Sequence, residues 1–234
     1  MGDGMAAMKF EDQKLPDLDE YAKLAEQFIP GRRAIFAIVE ASFLELLPEG
    51  SARILVVGAG GGEEILRLGA DNPHWSFVGV DTYQPMVELA QRRLAETPVG
   101  ARSKVHAMAI EDLDEKDFDA ATCILTAHFV PDDGAKLAFF KAIRARMKPD
   151  APLAIVDGVG VAGEAQTELQ RRIWKRHAIR NGVAEDVAET NARTFENVAV
   201  VSAEREEELL TSAGFERLTP IFRGITIKGW LAFA

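Results

Sequence analysis

Five small residues, Gly58, Ala59, Gly60, Gly61 and Gly62, follow the apolar run Ile54–Val57 and precede two acids, Glu63 and Glu64. A main chain stripped so bare can turn sharply and approach a ligand closely, and directly after a buried strand it lies where open parallel sheets hold nucleotides. Two nucleotide chemistries use such a turn differently. A dinucleotide asks for G-x-G-x-x-G, so that a helix N-terminus faces the pyrophosphate. Gly58 and Gly60 fit that pattern, but Glu63 stands at its third position, where a carboxylate repels a pyrophosphate. G-x-G-x-G, with Gly62 as its third glycine, fits better and suits a phosphate-free ligand. Asp81 ends the run "SFVGVD", 23 positions after Gly58, where a carboxylate can accept both hydroxyls of a ribose. Asp81 supports an adenosine ligand without choosing between chemistries, and it also suits a plain helix N-cap.

S-adenosylmethionine (SAM) meets these demands, because it carries no phosphate and its amino group and sulfonium are cationic. Chemistry on its methyl group is an in-line displacement, so the protein must align donor and acceptor and can supply a base. His128, in "TAHFVPDD", falls just past an apolar run on the same rim and is the candidate base. Thr126 and Asp157 end runs on that rim and are candidate contacts to cofactor or acceptor, with strand-end hydrogen bonding as their plainer role. In "TELQRRIWKRHAIRN", Arg172, Arg176 and Arg180 continue a four-residue row begun by Glu164 and Glu168. The row reads as a solvated face with a Glu168–Arg172 pair, or as a cover in which Arg171, Arg172 or Arg176, walled by Trp174, selects an anionic acceptor. His74, His106 and His177 show no metal-ligand spacing, and a single cysteine, Cys123, in a buried-looking run, completes no zinc site; no metal is expected.

Elements that position these groups follow from periodicity. Helices are expected from about Asp17 to Phe28 and Ala34 to Leu47, and then short apolar runs alternate with helical ones. The runs give strand 53–57, helix 63–70, strand 76–80, helix 85–96, strand 104–108, strand 119–125, helix 133–147 and strand 152–157. Two or three helices follow over 163–213, with Ser202 capping "EREEELL", and two strands joined near Gly224 close the chain. Unbroken runs such as "RILVV" suit strands buried on both faces. The expected architecture is α/β: a doubly wound, Rossmann-like, seven-stranded sheet, mostly parallel with an antiparallel C-terminal hairpin strand. It forms one domain, with residues 1–50 as a helical cap, 51–160 as the cofactor-binding core, 161–213 as helical cover and 214–234 as the strand pair.

These residues together resemble the class I SAM-dependent methyltransferases over nearly the whole chain. Within them the likeness is to the carboxy-SAM synthase branch and its small-molecule methyltransferase relatives. "FIPGRRAI" resembles that branch's Pro-Gly-Tyr segment, "ILTAHFVPDD" its segment after the fourth strand, and "FENVAVVSAEREEELLTSAGF" its approach to the last strands. The resemblance implies cofactor contacts from Gly58, Ala59, Gly60, Gly62, Glu63, Asp81, Thr82, Met86, Ile110, Glu111 and Thr126. Arg32, at the tyrosine position, would pair with the methionine carboxylate of SAM. On the acceptor side Asp157, Arg172 and Trp174 are the candidates read from the residues above, and the branch resemblance adds Arg193, near the arginine that would hold a carboxylate on carboxy-SAM. Two departures stand out: Val56 and Ala109 occupy positions where the family carries acids. Glu63 or Glu64 could take the first role and Glu111 or Asp112 the second, or each is a solvated acid.

Bulk properties narrow the partners. A formal charge of −10 and a pI near 5.0 argue against nucleic acid. No apolar run reaches the roughly 18 residues of a membrane helix, and the opening "MGDGMAAMKFEDQK" lacks a signal-peptide pattern, while Ala6 fails the myristoylation pattern. The expected partner is a small-molecule acceptor and the expected compartment the cytoplasm, with "GITIKGWLAFA" offering an edge strand for pairing into a homodimer. A carboxy-SAM synthase-like enzyme, a SAM-binding protein without turnover and an NAD-dependent oxidoreductase are the rival readings.

Overall fold

The computed structural model describes residues 18–194 and 198–234, so the opening residues and Phe195–Asn197 of "FENV" lie outside the described residues. Seven strands form one sheet: β1 (Ala52–Val57), β2 (Trp75–Asp81), β3 (Ser103–Ala107), β4 (Ala120–Ile124), β5 (Pro152–Gly158), β6 (Glu216–Gly224) and β7 (Ile227–Phe233). Their order is β3-β2-β1-β4-β5-β7-β6. The first five are parallel, and β7 runs antiparallel between β5 and β6. The order reverses between β1 and β4, and this switch point opens the crevice beyond the strands' carboxyl ends.

Eight helices accompany the sheet among the described residues: α1 (Leu18–Phe28), α2 (Arg32–Leu46), α3 (Glu63–Ala70), α4 (Gln84–Ala95), α5 (Ala135–Arg144), α6 (Ala165–Arg180), α7 (Glu185–Thr194) and α8 (Ala203–Ser212). Strand side chains alternate between faces, so the central strands serve two cores. Ile54 and Val56 point into one core with Val39 and Phe43 of α2, Leu68 of α3 and Val87 of α4. Leu55 and Val57 point into the other, with Phe140 of α5, Leu210 of α8 and Trp230 of β7. Burial on both faces is why these strands read as unbroken apolar runs. A third, smaller cluster joins α1 to α6 and α7, where the Phe28 and Trp174 rings stack with centroids 5.0 Å apart. Ser202 caps α8 as its position predicts, its hydroxyl accepting the Arg205 N–H at 3.1 Å. No described helix is long and apolar enough to cross a membrane.

Candidate functional site

The glycine turn leaves β1 at the switch point, and its geometry explains its composition. Gly58, Gly60 and Gly62 have φ of +75°, +47° and +77°, the left-handed region that costs a residue bearing a Cβ. The three positive angles fall on the three glycines of G-x-G-x-G and on neither intervening residue. Main-chain N–H groups of Gly58 and Ala59 donate to the Val80 carbonyl at 2.9 and 3.0 Å, tying the turn to β2. Gly58 also lies against Thr126, since a Cβ there would stand 2.0 Å from Thr126 Oγ1. Gly60 is different: a Cβ there would meet nothing nearer than the Gly58 carbonyl oxygen at 4.0 Å. The bare main chain at Gly60 therefore faces open space, a cradle that a side chain would fill.

Asp81 closes the cradle. Its Oδ2 accepts the Gly60 N–H at 2.8 Å and its Oδ1 accepts the Tyr83 N–H at 2.9 Å, so the carboxylate holds the turn and starts α4. Burial raises its carboxyl above the usual range, opposed by those two N–H groups. Each oxygen has a second lone pair for a ribose hydroxyl. The cradle and this carboxylate fit a phosphate-free adenosyl group. Met86 and Ile110 are buried nearby in the chain, after β2 and β3, while Thr82 and Glu111 are exposed at the same strand exits.

Arg32, expected at the methionine carboxylate of SAM, and Glu63, an expected cofactor contact, meet each other. Arg32 Nη1 lies 2.7 Å from Glu63 Oε1 and 3.6 Å from Glu26, and Arg67 adds a second contact to Glu63 at 2.9 Å. Burial works against ionised Glu63, but these two guanidiniums hold its carboxyl below the usual range. The charge that would repel a pyrophosphate is thus largely compensated, and the pattern mismatch remains as the argument against a dinucleotide. Glu64, the other acid of that turn, points inward. Burial pushes its carboxyl up to about 7, opposed by the neighbouring Thr122 hydroxyl and Arg32. Neither Glu64 Oε1 nor Thr122 Oγ1 closes a hydrogen bond among the described residues.

At the carboxyl ends of β4 and β5, two expected residues come together. His128 sits in a short 3-10 turn after β4, 5% exposed, and its Nδ1 faces Asp157 Oδ1 from β5. Asp157 is 1% exposed, and its Oδ2 has no hydrogen-bond partner among the described residues. A carboxylate at Nδ1 orients the imidazole and assigns proton exchange to Nε2, the arrangement that general-base histidines use. Beneath this pair lie two groups that sequence reasoning missed. Lys136 of α5 and Glu206 of α8 are wholly buried, 3.7 Å apart, and Lys136 Nζ donates to the Ala199 carbonyl at 3.1 Å. The Ala199 N–H in turn donates to the His128 carbonyl at 2.8 Å. Burial and the nearby Asp157 charge push the Glu206 carboxyl up to about 8. A signal for both existed: Lys136 shares a helical stripe with Phe139, Phe140 and Ile143, and Glu206 with Ala203, Leu209 and Leu210, so each stands on an apolar face.

Other expectations shift. Glu168 pairs with Arg171 at 3.2 Å rather than with Arg172, because Arg171 turns toward it one position earlier. Trp174 stacks on Phe28 inside the α1–α6 contact, so it serves that small core. Arg193 is 74% exposed and pairs with Glu189 at 3.4 Å on α7. Cys123 is buried in β4, and burial with the surrounding carboxylates raises its thiol far above the usual range, which keeps it unreactive.

Comparison with known proteins agrees with this layout. Residues 55–153, from within β1 to the start of β5, match the family described as "Methyltransferase domain". A SAM-dependent methyltransferase from Aquifex aeolicus is similar in fold at TM-score 0.59 and 18% identity, over 94% of this chain and 99% of that one. An O-methyltransferase family protein from Burkholderia thailandensis matches at TM-score 0.65 and 10% identity, over 91% of this chain and 58% of its own. The N,N-8-amino-8-demethyl-D-riboflavin dimethyltransferase of Streptomyces davawensis matches at 0.61 and 20%, over 92% of this chain and 57% of its own. The chain therefore spans less than three fifths of the last two proteins. At such identities the likeness shows the shared Rossmann-like fold. No curated protein matches the sequence.

Proposed function

We propose that the chain is a SAM-dependent methyltransferase acting on a small-molecule acceptor. The observation that carries this reading is the Gly60 cradle closed onto Asp81 at the switch point, with the His128–Asp157 pair across the crevice. Bound in the cradle, SAM would supply an activated methyl group. Asp81 and the Gly58–Gly62 turn would hold the adenosyl part, with Met86 and Ile110 as apolar walls and Thr126 beside the turn. Thr82 and Glu111, exposed at the strand exits, would form the rim. Arg32 and Glu63, paired with each other, set the entrance of α3 and would reach the ligand only by exchanging partners. Asp157 would hold His128 so that Nε2 accepts a proton from the acceptor's nucleophile, and burial of both excludes water from that transfer. O- or N-acceptors with an acidic hydrogen suit this base.

Incubation with methyl-labelled SAM and a panel of phenols, carboxylic acids and amines, read as S-adenosylhomocysteine formed, tests the reading. His128→Gln should lose about 10²–10⁴ in turnover while keeping S-adenosylhomocysteine affinity. Binding without turnover across the panel would favour a SAM-binding protein instead. The carboxy-SAM reading would need an arginine in the site, and exposed Arg193, paired with Glu189, lends it no support.

A further inference from the structure

Arg172, Arg176 and Arg180 run along one stripe of α6, spanning roughly 12 Å at 1.5 Å per residue. With Ile173, His177 and Ile225 they line a shallow concavity of about 480 Å³. Their neighbours on the same helices are neutralised: Arg171 by Glu168 at 3.2 Å and Lys175 by Glu189 at 2.6 Å. No ion pair reaches Arg172, Arg176 or Arg180 among the described residues, in a chain with 37 acids to 27 bases. Like charges four residues apart on a helix repel one another, so an uncompensated row is unfavourable unless something anionic sits on it. Ile173, 46% exposed, is an apolar group left beside that charge.

The concavity meets the sheet at Ile225. Ile225 belongs to the β6–β7 turn, just beyond the last β5–β7 pair, Gly158 with Ile227, and the Val159 N–H holds that turn through the Thr226 carbonyl at 2.7 Å. Asp157 pairs with Lys228 in the same ladder, the next position after the Gly158–Ile227 pair. Through Ile225 the row meets the sheet at the carboxyl end of β5, the strand that carries Asp157.

Resting on the methyltransferase reading, we propose that this row recognises an acceptor with at least two anionic groups on an apolar body. The guanidiniums would take carboxylate or phosphate oxygens, and Ile173 and Ile225 the hydrocarbon. The test is calorimetric titration of the intact chain, saturated with S-adenosylhomocysteine, with suberate and separately with tripolyphosphate, which distinguishes the carboxylate from the phosphate source. At least one probe should bind. Arg172→Gln, Arg176→Gln and Arg180→Gln should each weaken it about tenfold, while exposed Arg33→Gln should not. Glutamine keeps helix propensity, and unchanged circular dichroism would show that α6 is intact. Failure of both probes, equal affinity in the three variants, or equal loss in Arg33→Gln would overturn the proposal while leaving the methyltransferase reading standing. Absence of S-adenosylhomocysteine binding would remove that reading, and the assignment of an acceptor site with it.

Discussion

Alanine at Gly58 and at Gly60 should separate the fold's need for glycine from the ligand's. Both positions have positive φ, which costs an L-residue about 1–2 kcal/mol. At Gly58 the added Cβ would also stand 2.0, 2.5 and 2.8 Å from Thr126 Oγ1, Cγ2 and Cβ. A rotamer change can move the first two atoms but not the third, so the main chain must shift, and overpacking of this kind adds about 1–3 kcal/mol. Gly58→Ala should therefore lose about 2–5 kcal/mol in urea unfolding. At Gly60 the nearest atom is 4.0 Å away, so Gly60→Ala should lose only about 1–2 kcal/mol. Its methyl group would nevertheless enter the cradle, and S-adenosylhomocysteine affinity should fall roughly 10–100-fold, the equivalent of a 1–3 kcal/mol clash. Gly163→Ala is the control, with φ of +81° and nothing within 4 Å, and should leave affinity untouched. If Gly60→Ala bound the ligand as tightly as the parent, the cradle would not be where the ligand lies.

The buried acids give pH-dependent predictions. Glu64 has a folded-state pKa of about 7 against an ordinary 4.5, so the folded chain binds the extra proton and stability falls as pH rises through that window. Glu64→Gln should then be more stable by up to about 3 kcal/mol at pH 8, with the gap closing near pH 4 in urea melts; a gap constant with pH would contradict this. Lys136→Met removes the cation beside buried Glu206 and should lose up to about 3 kcal/mol at pH 8, where the carboxyl is ionising, and clearly less at pH 5, where it is protonated. Replacing both Lys136 and Glu206 with apolar residues should recover most of it, as thermal melts at both pH values would show.

Much of the fold was legible because both sheet faces are covered: runs such as 53–57 and 152–157 have no solvent face to interrupt them, and strands appear at both. The glycine turn was legible for a local reason, since left-handed φ at Gly58, Gly60 and Gly62 is a property of three residues and their neighbours. His128 and Asp157 each fell on the rim by strand counting. Their contact was not legible, because β4 and β5 are joined through α5 and only tertiary packing sets the register that brings the two side chains together. Pairings of long side chains failed for the same reason. Arg32 and Glu63 are far apart in sequence and meet only when α2 lies beside α3, and Glu168 chose Arg171 over Arg172 by rotamer rather than by spacing. Lys136 and Glu206 are residue types that usually face solvent, and only the apolar stripes around them place both inside.

Calorimetric titration of the intact chain with S-adenosylhomocysteine and, separately, with NAD tests the central claim most directly. One-to-one saturation by S-adenosylhomocysteine, abolished in Asp81→Ala, and no heat from NAD is the expected result. Saturation by NAD with none by S-adenosylhomocysteine would contradict the account.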